Sequence, residues 1–351
     1  MASAKKILIY TSVSVIFLYF FFLGLAEAKS FLAPLTTAAV LAILVLPLNR
    51  KMEKSFLNRP AASMINTIFL LLISLGFFAL ISMQIKNLVD DWPKIEETMY
   101  PKVEELKEFV FEHTPVSQAD IDEASSGKPL FGIGSSPGKA MSFFNSVMGF
   151  FGNYLLTFVY IFFILNYRRH FMKFLLMLFP DERRKKIGKI VTQSAKVVQQ
   201  YLLGRLLLIG FLSIAYGIGL GFTGVNNFIL VSVISAILSI IPYLGNVIGF
   251  MMAMTFGYLT SGEAGMLIGI SATFFIGQFI ESYILTPYVV GDKVDLHPFL
   301  VILVVIIGNM VWGILGMLLA IPLIAVLNVS LVNIKPLKPL GYLLSKEDKD
   351  V

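Results

Sequence analysis

The sequence predicts an all-α, polytopic membrane protein, and three observations carry that prediction. Hydrophobic residues make up 57% of the chain and charged residues only 14%, with a mean hydropathy of +0.81. A soluble domain carries about 25% charge. The apolar residues gather into about eight segments, most of them close to the ~20 residues that cross a bilayer. Two segments in the C-terminal half are longer and are broken by proline and glycine. The chain has no cysteine, which excludes disulfides and thiol chemistry.

The first span is Ile7–Leu25, preceded by Lys5 and Lys6. That pattern resembles a signal peptide, but the run is too long for one and more spans follow. "EAKS" connects it to the second span, Phe31–Leu48. "NRKMEKSFLNRP" follows, with Arg50, Lys51, Lys54 and Arg59 against Glu53, and then the third span, Ala61–Ile85. Basic loops favour the cytoplasmic side. Both basic segments are therefore expected inside, two spans apart, with the N-terminus cytoplasmic.

Residues 86–140 form a hydrophilic insert. Lys86–Lys139 holds eleven acids and six lysines. Alternation places it outside. Val89, Trp92, Ile95, Met99, Val103, Leu106 and Val110 recur at helical spacing. Their apolar face packs on its own protein or on a neighbouring subunit. Residues 141–203 bring the fourth span, Met141–Leu165, and then a basic amphipathic helix, Pro180–Gln200. Tyr167–Arg205 contains ten basic residues and two acids. A helix lying on an anionic inner leaflet is expected here. A nucleic-acid partner is not, since no binding fold or stacking aromatics accompany the charge.

Residues 204–335 alternate plain and broken segments: Leu206–Phe222, Phe228–Thr260, Ala264–Leu285, Phe299–Val332. The first break is "LSIIPYLGNVIG", with Pro242, Tyr243, Gly245 and Asn246. The second holds Gly308, Asn309, Gly313, Gly316 and Pro322. A helix of ~33 residues reaches about 50 Å against a ~30 Å core. Two half-helices folded back on each other fit better, so two re-entrant hairpins in an inverted-repeat-like arrangement are expected. Broken segments at matched positions point to a transporter's binding site. The bland alternative is a proline kink that only shapes packing. Pro242 is expected to leave the Leu238 carbonyl without its helical partner. The tail, 336–351, carries Lys338, Lys346 and Lys349 and is expected inside.

Gln278 and Glu281 share one face of the seventh segment. A carboxylate in a span marks a functional site by default; the alternative is a span-end group in reach of water or of a base such as Arg205. Arg205 itself opens the fifth span, and its plain role is snorkelling to phosphates. His297, before Pro298 at a segment entry, reads as a loop or cap residue, with a proton relay as the alternative. Gly245/Gly249 and Gly265/Gly269 support close packing. Enzyme motifs are absent, and no metal or cofactor is expected.

"IPYLGNVIG" at 241–249, Gln278 and Glu281 leading to Pro287, "LHP" at 296–298 and "GNMVWGILGMLLAIPLIAV" at 308–326 together resemble the autoinducer-2 exporter family of bacterial membrane proteins. The resemblance implies an inner-membrane transporter that exports a small polar metabolite such as autoinducer-2, or exchanges Na⁺ or Li⁺ for protons. It also implies a homo-oligomer, a pentamer. The chain departs from the family at Asn246, where a second proline is frequent, and at Asp295, where glycine is. A non-transporting membrane scaffold is the rival class.

Overall fold

A computed structural model describes residues 2–55, 57–90, 97, 101, 137–241, 244–261, 264–290 and 296–346. Among these residues all regular structure is helical. In chain order the helices are α1 (Ala2–Glu27), α2 (Lys29–Ser55), α3 (Arg59–Asp90), α4 (Pro137–Met177), α5 (Asp181–Phe222), α6 (Phe228–Leu238), α7 (Leu244–Ser261), α8 (Ala264–Phe279), α9 (Pro298–Trp312), α10 (Ile314–Asn333) and α11 (Lys338–Leu344). A π-helical stretch, Ile280–Val290, continues α8, and a 3₁₀ turn, Lys335–Leu337, precedes α11. Among the described residues six helical stretches are long and apolar enough to cross a bilayer. They are Ile9–Glu27, Lys29–Ser55, Arg59–Leu80, Asp181–Phe222, Gly265–Thr286 and Ile314–Asn333. The protein is a multi-pass membrane protein. Most of the hydrophilic insert, 91–96, 98–100 and 102–136, lies outside the described residues.

The chain forms two compact units. One comprises residues 1–72, 153–206 and 287–351, and the other residues 73–152 and 207–286. The 204–335 stretch is shared, its first broken segment going to one unit and its second to the other.

The sequence separates the basic helix 180–200 from the fifth span. In the structure both belong to α5, a single helix of 42 residues. Part of its apolar stripe packs on protein over this stretch, while Ile187, Val191 and Val197 are half-buried. Ile190, Val198 and Tyr201 are buried in protein, and Val198 joins a core cluster with Ala33, Val40, Trp312 and Leu319. The basic residues Arg183, Lys185, Lys186 and Lys189 remain exposed on the other face.

In the first unit α2, α3 and α4 enclose a core of Ala38, Ala42, Val45, Phe158, Ile161 and Leu165. Next to it lies a buried polar network that hydropathy does not announce. Arg168 donates from both terminal nitrogens to the two oxygens of Glu53, each at 2.6 Å. Asn49 donates to Glu53 at 2.8 Å and Asn66 to Asn49 at 3.0 Å. This network ties the ends of α2, α3 and α4 together.

The second broken segment is also in this unit, as the hairpin α9–α10. The chain turns at Gly313, whose φ of 66° and ψ of −141° favour a residue without a side chain. The two backbones meet at Gly308 and Gly316, where a methyl group on either glycine would strike the other's carbonyl. The turn is anchored by Trp312, whose Nε1–H donates to the Leu25 carbonyl at 2.8 Å. Pro322 is not at the turn; it is buried inside α10. His297 caps α9, its Nδ1 accepting from the Phe299 amide at 3.3 Å, and its own amide reaches the Leu344 carbonyl at 2.9 Å.

Candidate functional site

The second unit builds a polar node inside an apolar bundle. Between residues 207 and 286 the chain has no Lys, Arg, His or Asp, and only two acids, Glu263 and Glu281. The apolar core is Leu212, Tyr216, Leu220, Val225, Val231, Ala236, Ala253, Ile270 and Phe274. Helix α5 ends where Gly224 and Asn227 take positive φ of 75° and 52°. The chain then reverses into α6 and α7, which fold back on each other as a tight hairpin.

Glycines set that hairpin's closeness. A methyl on Gly249 would lie 3.0 Å from Ser235 Cβ, and one on Gly245 would strike the Leu238 carbonyl. Ser235 donates its hydroxyl to the Gly249 carbonyl at 3.3 Å. The expectation that Leu238 is left without a backbone partner is corrected here. The chain tightens at the end of α6, and the Ile241 amide donates to the Leu238 carbonyl at 3.0 Å. A three-residue turn replaces the lost four-residue bond. Pro242 and Tyr243, at the tip, lie outside the described residues.

Beyond the tip, Asn246 stands in the first turn of α7. Its Nδ2 donates to Gln278 Oε1 at 2.5 Å and to Glu281 Oε2 at 3.0 Å. Gln278 in turn donates to Ser282 Oγ at 2.9 Å. Glu281 is only 5% exposed. It sits where α8 gives way to the π-helical stretch. Such wider turns recur at functional sites because they reorient side chains within a helix. A cleft of about 200 Å³ opens beside the node, lined by Asn246, Val247, Phe250, Phe274, Phe275 and Gln278. Two amides form its polar edge, and rings and a valine form the rest.

Helix α5 packs antiparallel on α8 through small residues. Thr273 fills the space over Gly219, Thr223 that over Gly269, and the Tyr216 ring that over Gly277. Tyr216 is 1% exposed. Its ring stacks on Phe274 with centroids 4.4 Å apart.

Of the residues singled out from sequence, the structure brings Asn246, Gln278 and Glu281 together, with Gly245 at the hairpin contact beside them. Asn309, Gly313, Pro322 and Arg205 belong to the other unit. Asn309 is exposed, and its backbone carbonyl accepts from the Gly313 amide at 2.8 Å. The Arg205 guanidinium lies 5.8 Å from the centre of the Tyr201 ring, within cation–π range. Sequence reasoning missed Tyr216 and Ser282. The available signal for Tyr216 was a glycine, Gly277, placed one turn before the carboxylate.

The chain matches the model of the AI-2E family transporter over residues 15–335. Two proteins of Bacillus subtilis (strain 168) to which it is similar carry the name "Putative transport protein". YueF is 26% identical over 316 residues, covering 86% of this chain and 83% of that protein. YrrI is 32% identical over 154 residues, covering 44% of this chain and 43% of YrrI. The matched stretch thus spans less than half of YrrI.

Proposed function

This chain belongs to the AI-2E family of transporters, and on that premise we propose that it is a secondary exporter of a small polar metabolite such as autoinducer-2, with Glu281 as its coupling group. It works in this proposal as a homo-oligomer, a pentamer, in a bacterial inner membrane, with both termini cytoplasmic. The observation that carries the reading is the Asn246–Gln278–Glu281 node. One amide at the start of a broken helix holds both a carboxylate and a second amide on the neighbouring helix. A carboxylate inside a span is costly to keep charged. Binding a proton or cation there removes the charge that the Asn246 donor serves. The hairpin's hold on α8 then weakens, and the adjoining cleft is free to rearrange around a solute.

Exchange of Na⁺ or Li⁺ for protons is the second reading. The acidic, base-free composition of 207–286 favours it, because one carboxylate and two amide side chains offer oxygen ligands of the kind hard cations take. Purified protein in liposomes decides between the two. Autoinducer-2 flux and Na⁺-driven proton flux are measured for the parent and for Glu281→Gln. Solute flux lost in the variant supports export, and cation-driven proton flux without solute flux supports exchange. Flux of neither kind in the parent sinks both in favour of a membrane scaffold.

A further inference from the structure

Tyr216 carries a buried polar atom that the node just described does not use. Its hydroxyl is shut off from solvent and has no hydrogen-bond partner among the described residues. Buried hydroxyls are paired as a rule, so an exception calls for a cause. The ring cannot turn away. It stacks on Phe274 at 4.4 Å with an interplanar angle of 20°. Its edge also fills the space that Gly277 leaves empty, where a methyl group would lie 2.5 Å from Tyr216 Cε1 and 3.4 Å from Cζ. Gly277 precedes Glu281 by one helical turn, on the same face of the helix. The phenol ring therefore lies against α8 one helical turn from the carboxylate. Asn246 holds that carboxylate from α7. The facing helix, α5, offers no charged group between residue 207 and its end; besides this phenol it carries the Ser213 hydroxyl, which donates to the Ile209 carbonyl at 2.8 Å.

We propose that Tyr216 is a positioning residue for Glu281, its hydroxyl engaging the carboxylate from the α5 side when the Asn246 amide lets go. The inference rests on the reading of Glu281 as the coupling group. It gives the carboxylate two alternative donors, one on the hairpin and one on α5. The group is then hydrogen-bonded both when the hairpin holds it and when the hairpin has released it.

Tyr216→Phe is the natural probe, because it keeps the stacked ring and removes one oxygen. Infrared difference spectra between acid and neutral pH are recorded on purified parent, Glu281→Gln and Tyr216→Phe. Glu281→Gln is expected to remove one carboxyl C=O band. Tyr216→Phe is expected to keep that band and move it to higher frequency, since a carbonyl relieved of a donor stiffens. Thermal stability should be unchanged or higher, because replacing an unpaired buried hydroxyl by hydrogen is close to neutral. In liposomes carrying a Na⁺ gradient or autoinducer-2, the maximal flux of Tyr216→Phe should fall about tenfold, with little change in the half-saturating concentration. A band unmoved in Tyr216→Phe, or no band lost in Glu281→Gln, overturns the proposal. Lost flux in Glu281→Gln with the band unmoved in Tyr216→Phe overturns this pairing alone. Normal flux in Glu281→Gln with the band shift present overturns the transport role and leaves the pairing standing.

Discussion

Asn246→Leu removes the link between the first hairpin and α8 while keeping the side chain's approximate volume. Two hydrogen bonds are lost, at 2.5 Å to Gln278 and 3.0 Å to Glu281. The bond between the two neutral amides contributes about 1 kcal/mol, and a bond to a charged group roughly 1.5–3 kcal/mol. Glu281 is 5% exposed, so water does not readily replace the lost donor. Added leucine contact with Phe250 and Phe274 returns part of the cost. The net expectation is a destabilisation of about 2–3 kcal/mol when Glu281 is charged. The same substitution made in a Glu281→Gln background loses only bonds between neutral groups and should cost about 1 kcal/mol. Denaturation of the purified protein in detergent, followed across the four combinations, reads the difference directly. Equal costs in both backgrounds would refute the reasoning, because they would mean that Asn246 does not serve the carboxylate.

Three further perturbations follow from the packing. Arg168→Ala takes the bidentate partner from Glu53, whose side chain is 13% exposed, and leaves it the Asn49 amide and Arg59 at 3.9 Å. The substitution should cost roughly 2–3 kcal/mol; the paired change Glu53→Leu with Arg168→Met should cost clearly less, and equal costs would show that the lost pairing leaves no charge under-compensated. Gly308→Ala drives a methyl into the Gly316 backbone, which cannot swing aside as a side chain can, and should lower stability by roughly 2–3 kcal/mol. Gly210→Ala, where nothing among the described residues lies within 4 Å, should be neutral or stabilising by up to about 1 kcal/mol. Melting temperatures of the last two variants serve as each other's control, and a reversed order would refute the hairpin contact.

Much of the fold was legible because charge and helix-breaking residues marked it. The predicted limits at Phe222, Phe228 and Ala264 coincide with helix ends. There, Gly224 and Asn227 turn the chain with positive φ. The division of α5 failed for a physical reason. Hydropathy changes near residue 204, but a helix ends only where its backbone groups find other partners, and none are offered there. The Leu238 expectation failed similarly, since a missing donor at Pro242 was replaced by the amide one residue earlier. The Glu53–Arg168 pair was invisible because its members are 115 residues apart. In sequence each counted only as a signal of membrane side.

The node itself was half legible. Gln278 and Glu281 stand out because polar groups in a span are rare. Asn246 stood out only as a departure, occupying a position where a proline is frequent in the family it resembles. The structure explains why both residues fit. Asn246 is the third residue of α7, and the first four amides of a helix have no acceptor within it. A proline there forfeits no helical bond, so the backbone accepts either residue. What differs is the side chain. Asparagine brings two amide hydrogens to the place where the hairpin meets α8, and both are used. Tyr216 had no such signature, as one of 13 tyrosines in a chain rich in aromatics. It becomes visible only through the glycine that makes room for its ring. In a span, where leucine and phenylalanine face lipid as readily as protein, close contact is recorded by the residues left small.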